Sequence, residues 1–123
     1  MQRMSFDVST DTGTWTDSGP SFTGEIAQAR WEVTTADTGA DLAIYLQPRP
    51  GDTGNGVLLV SDNDCLGADF TRCWLQPSHN TAGNAIDTGD DFAAPVVSAG
   101  DHLRIKVTPG GAACVGRLYV WVK

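Results

Sequence analysis

No apolar run in this 123-residue chain approaches the roughly 20 residues that span a bilayer, so no membrane partner is expected. The opening stretch MQRMSFDVST carries no continuous apolar region of the secretory kind. A soluble chain made in a cytosol is the expectation. Basic residues are scarce: 8 Lys and Arg stand against 15 Asp and Glu, a net charge of −7. An acidic surface with no basic stripe repels phosphate backbones, so nucleic acid is not an expected partner. Glutamate is nearly missing. Glu25 and Glu32 are its only copies, and every other acid is Asp. Asp favours turns and caps, where its short carboxylate bonds nearby backbone N–H groups, so most of the negative charge reads as turn chemistry.

Histidine and cysteine are also few. His79 and His102 are the only histidines, and a zinc site needs three or four ligands. Cys65, Cys73 and His79 match no finger spacing, so ordinary surface and loop histidines and no metal are expected. Three cysteines are an odd set: buried thiols in a reducing compartment, or a Cys65–Cys73 bridge across a loop. No Ser stands in a Gly-x-Ser-x-Gly elbow. Nothing in the chain calls for a cofactor.

What the chain does hold is apolar alternation and glycine: 41% hydrophobic residues and 14 Gly. Met4, Phe6 and Val8 alternate with polar neighbours, a half-buried strand with Thr12–Thr16 as its expected hairpin partner. Ala27, Ala29, Trp31 and Val33 share one face, as do Leu42, Ile44 and Leu46. Val57–Val60 is apolar on both faces and reads as a central strand. Residues 61–91 form a polar excursion with one strand near Thr71–Leu75. Ala99-Gly100-Asp101 reads as a turn. Leu103, Ile105 and Val107, then Leu118, Val120 and Val122, read as a closing hairpin around Pro109-Gly110-Gly111. No segment keeps a 3.6-residue period. The expected fold is a single all-β domain over 1–123, an antiparallel two-sheet β-sandwich of about eight strands, for which the jelly roll is a suitable arrangement. Its expected core is Phe6, Trp31, Leu42, Ile44, Leu59, Leu103, Ile105, Leu118 and Val120.

Asp-Thr-Gly occurs four times, at Asp11, Asp37, Asp52 and Asp87. Asp37-Thr38-Gly39-Ala40-Asp41 looks like the active-site loop of retroviral-type aspartic proteases, in which two carboxylates share a proton. The approach Val33-Thr34-Thr35-Ala36 is too polar to desolvate such a dyad, and four copies cannot all be catalytic. As turn chemistry the motif is complete: Asp caps, and Gly takes positive φ. No catalytic residue and no enzymatic activity are expected. Asp62, Asp64 and Asp69 suit a solvated acidic loop; a calcium loop is the competing reading, without the closing bidentate Glu of an EF-hand.

Tyr119 and Trp121 fall on the polar side of the last strand beside Arg117. Tyr45 lies similarly in its own strand, and Trp74 belongs to the polar middle. These five are the candidate interface residues, since aromatics and Arg dominate protein contacts. The other reading is that a second sheet or loop covers them.

The strings Asp37-Thr38-Gly39-Ala40-Asp41-Leu42, Ala99-Gly100-Asp101-His102-Leu103-Arg104-Ile105-Lys106-Val107 and Gly116-Arg117-Leu118-Tyr119-Val120-Trp121 resemble small virion proteins of tailed bacteriophages. The likeness covers about the last two thirds of the chain, in the style of strands and turns. It implies a capsid cement or decoration protein on the outer shell, made in the bacterial host cytoplasm. The implied partner is the major capsid protein, with the chain itself a homo-oligomer, dimer or trimer. A tail or baseplate component is an alternative within that class. A carbohydrate-binding accessory module, stacking sugars on Trp15, Trp74 or Trp121, is the alternative outside it.

Overall fold

Alternation in the sequence becomes alternation in burial. In β1 (Gln2–Thr10) Met4, Phe6, Val8 and Thr10 point inward while every residue between them is exposed. The same beat runs through β8 (Cys114–Val122), where Cys114, Gly116, Leu118, Val120 and Val122 are buried. The structure, a computed structural model, describes residues 2–11, 13–48, 57–73 and 97–123, with backbone alone at 57, 72 and 73. Its other strands are β2 (Trp15–Ser18), β3 (Phe22–Thr35), β4 (Asp41–Gln47), β5 (Val57–Asp62), β6 (Phe70–Cys73) and β7 (Val97–Thr108). The described residues are all-β: eight antiparallel strands and no helix.

The pairings follow one plan. The first strand pairs with the last, β2 with β7, β3 with β6, and β4 with β5. Two more ladders, β3 with β8 and β4 with β7, join these pairs side by side. The results are the orders β1-β8-β3-β6 and β2-β7-β4-β5. The long strands β3 and β7 connect the two sets, because Phe22–Glu25 pair with Val97–Asp101 before each strand continues into its own set.

Several expectations change here. β2 pairs with β7, so it is not the hairpin partner of β1; Thr12 lies outside the described residues. β7 and β8 form no hairpin. The five residues after Thr108 carry the chain from one set to the other, where β8 enters between β1 and β3. β5 ends its order, not centres it, and Leu58 is 51% exposed. Ala99-Gly100-Asp101 is a bulge inside β7: Phe22 faces Asp101, Thr23 faces Ala99, and Gly100 is left over at φ 87°. That backbone conformation suits glycine. Ser98 secures the bulge, its Oγ donating to Phe22 O at 2.7 Å and accepting from Asp101 N at 3.1 Å.

The buried side chains form one cluster drawn from both strand sets. Phe6, Ile26, Trp31, Leu118 and Val120 meet Leu42, Ile44, Leu103, Ile105 and Val107. Leu59 is only partly buried and packs on its rim, whereas the other expected core residues are inside. Each fully buried Leu, Ile or Val contributes about 1.5–3 kcal/mol.

Candidate functional site

The outward face of β1, β8 and β3 is built by pairing register. Asp7, Arg117 and Glu32 lie side by side across the three strands; so do Ser5, Tyr119 and Arg30, and then Arg3, Trp121 and Gln28. Directly opposed side chains on one sheet face are close enough to interact. Arg117 Nε donates to Asp7 Oδ1 at 2.8 Å, and its Nη1 reaches the Tyr119 hydroxyl at 3.5 Å. The Tyr119 hydroxyl and the Asp7 carboxylate raise the already high pKa of this guanidinium. On the far side Arg30 meets Glu32 at 3.3 Å, Thr71 Oγ1 at 3.1 Å and Asp69 at 3.7 Å.

The aromatics occupy the middle. The rings of Tyr119 and Trp121 lie 5.8 Å apart, tilted by 40°. The Arg3 guanidinium sits 4.9 Å from the centre of the Tyr119 ring, a cation–π contact. Three arginines thus frame two half-exposed aromatics. Beside them lies a depression of about 500 Å³, bordered by Asp7, Glu32, Thr34, Arg117 and Tyr119, with Gly116 among its lining.

Of the expected interface residues, Arg117, Tyr119 and Trp121 come together on this face. Tyr45 does not join them: it lies on β4, in register with Leu58 and Arg104 in the other strand set. Trp74 lies outside the described residues, as do His79 and the Asp-Thr-Gly copies at Asp52 and Asp87. Sequence reasoning missed Arg3, Asp7, Arg30 and Glu32 as members of the site. Alternation places Asp7, Arg30 and Glu32 on the polar faces of their strands; the missing fact was that β1 and β3 flank β8.

Asp37 has a role that its polar neighbours concealed. It is 4% exposed, and its carboxylate accepts N–H bonds from Gly39 at 3.1 Å, Gly110 at 2.8 Å and Ala112 at 3.4 Å. The Gly110 bond, backed by those from Gly39 and Ala112, holds its pKa below the usual carboxylate value despite burial. A carboxylate kept ionised by fixed amide donors differs from a dyad that must share a proton. Its geometry is that of a clasp between the 37–39 turn and the crossing after β7. Gly110 lies so close to the Gly39 backbone that a Cβ there would overlap it.

The acidic loop is likewise engaged with its surroundings. Asp69 Oδ1 accepts from Val33 N at 2.8 Å, and Asp41 Oδ1 from Asp64 N at 2.9 Å. The Cys65 Sγ lies 3.5 Å from Asp62 O, and His102 Nδ1 lies 2.9 Å from Gly19 O; the side chain of Cys73 lies outside the described residues. Among the described residues, no three His, Cys, Asp or Glu side chains gather as a metal would require. Comparison with protein-family models, curated proteins and solved structures gave no match, and the outward face is read from its own geometry.

Proposed function

We propose that this chain is a structural part of a tailed-phage virion: a cement or decoration protein that binds the outer shell and bridges neighbouring major capsid subunits. The observation that carries the reading is the Tyr119–Trp121 pair framed by Arg3, Arg30 and Arg117 on a sheet face. Aromatic and Arg side chains are the anchors of protein contacts, and a few of them dominate an interface. The finer fold belongs to the same proposal. A chain that pairs first strand with last, and inward to the fourth with the fifth, is a long two-stranded ribbon. Rolled up, it becomes a two-sheet jelly roll, here with sheets β1-β8-β3-β6 and β2-β7-β4-β5 around the shared core. This architecture is common in viral capsids and in lectins. Many weak copies on one shell act together.

The test is binding of the purified protein to particles that lack it. Trp121→Ala, with Tyr119→Ala beside it, weakens binding by about 2–4 kcal/mol, a hot-spot loss, while the circular dichroism spectrum stays that of the parent. The sugar-binding reading predicts instead a polysaccharide that quenches tryptophan fluorescence. A clear glycan hit without particle binding refutes the cement function.

A further inference from the structure

Among the described residues β1 is bonded on one edge alone: β8 is its partner, and it stands at the end of the strand order. The open edge is nine residues long, without proline or bulge, and Arg3, Ser5, Asp7 and Ser9 are exposed along it. Such an edge is a template for another strand, and proteins that must not pair there usually interrupt it. We propose that two copies of this chain join through this edge, β1 antiparallel to β1, about a two-fold axis at Ser5.

Charge selects the occupant and the register. With Ser5 opposite Ser5 of the second copy, Arg3 faces its Asp7 and Asp7 faces its Arg3. A slip by one residue sets outward side chains against inward ones. The neighbouring registers that keep the faces matched place Arg3 or Asp7 opposite Ser5, and more distant ones oppose Arg3 to Arg3 or Asp7 to Asp7. The Ser5-centred register therefore pairs both charges, twice, as an isologous two-fold interface requires. The groups are also available. Asp7 is bound through Oδ1 alone, with its side chain 82% exposed, so Oδ2 remains for a second guanidinium. Arg3 lies over the Tyr119 ring, a cation–π contact that pairs its charge with no carboxylate.

The joined strands extend β6-β3-β8-β1 into its copy and set two Tyr119–Trp121 pairs on one continuous face. The dimer does not depend on the capsid reading, and its test uses the purified chain alone. Ser5→Cys places two thiols directly opposite across the axis, where antiparallel Cα separations of about 4.5–5.5 Å suit a disulfide. Under mild oxidant this variant becomes a covalent dimer through the introduced thiols, mapped by peptide mass spectrometry. Ser9→Cys, far from the axis, does not, and it controls for the resident cysteines. In sedimentation the parent dimerises with rising concentration, and Arg3→Asp weakens the dimer about tenfold by breaking both ion pairs. Adding Asp7→Arg to that variant restores the dimer by reversing the charges. The parent sedimenting as a monomer at all concentrations up to millimolar overturns the proposal; so do equal cross-linking at Ser5 and Ser9, or no rescue by the double exchange.

Discussion

Gly116 gives the sharpest test of how the core is packed. It sits inward on β8, between Val8 of β1 and Val33 of β3. A Cβ at this position would lie 2.5 Å from Trp31 Cζ2, closer still to Cη2, and 2.6 Å from the carbonyl oxygen of Glu32. Carbon atoms in contact prefer about 3.5–4.0 Å, so the indole would have to move by about 1 Å. Trp31 is 0% exposed and has no solvent side to move into, and the carbonyl belongs to a paired strand. Overpacking of this kind costs about 1–3 kcal/mol, and two blocked directions place Gly116→Ala near the top of that range. Loss of glycine's unfolded-state freedom returns about 0.5–1 kcal/mol. The net destabilisation is about 2 kcal/mol, or about 8 °C in melting temperature for a domain of this size. Thermal and urea unfolding measure it, with an unchanged urea slope showing that the folded state is still compact. Trp31→Phe removes the two indole carbons in conflict, so the double variant should recover about 1 kcal/mol relative to the sum of the single changes. A Gly116→Ala protein that melts within about 2 °C of the parent, or strict additivity with Trp31→Phe, refutes the packing argument.

The Asp37 clasp predicts an acid limb of stability. Its folded pKa lies below the ordinary 3.8, so its contribution is complete above that value and is lost as pH falls through the lower folded value. Asp37→Asn should therefore melt lower than the parent at neutral pH and lose part of the parent's decline below pH 4, read from melting temperature against pH. Burial, and then the nearby Asp37 charge, raise the Cys114 thiol pKa, so Cys114 stays protonated at neutral pH. Alkylation mapped by mass spectrometry should label Cys114 only on unfolding; rapid native labelling of Cys114 contradicts this. Trp121→Ala should leave the melting temperature within about 2 °C of the parent, because its half-exposed ring lies outside the core; a larger fall assigns it to packing.

Much of the local structure was legible without coordinates. The alternation Met4-Phe6-Val8 and Leu118-Val120-Val122 marks the inward face of each strand, because side chains on a strand alternate whatever the strand pairs with. The same argument placed Arg117, Tyr119 and Trp121 on one outer face. The bulge at Gly100 was misread as a turn because both need a glycine at positive φ, and only the opposing strand reveals the difference. Tyr45 was grouped with Tyr119 for being outward and aromatic, properties that do not say which strand set carries it.

Facing is a local property, readable from alternation alone, and it placed eight expected core residues correctly: Phe6, Trp31, Leu42, Ile44, Leu103, Ile105, Leu118 and Val120. Partnership is not local. Five residues between β7 and β8 are enough for a hairpin or for a crossing, and the apolar face of β8 is satisfied when it lies between β1 and β3. Long-range strand pairing settles the choice, and with it the joining of Arg3 and Asp7 to the aromatic face. Asp37 follows the same rule. Its neighbours in sequence are polar, but the amides that bury and bind it at Gly110 and Ala112 stand 73 and 75 residues away. A carboxylate's environment is set by whatever the fold brings within hydrogen-bond distance, and no local pattern encodes it.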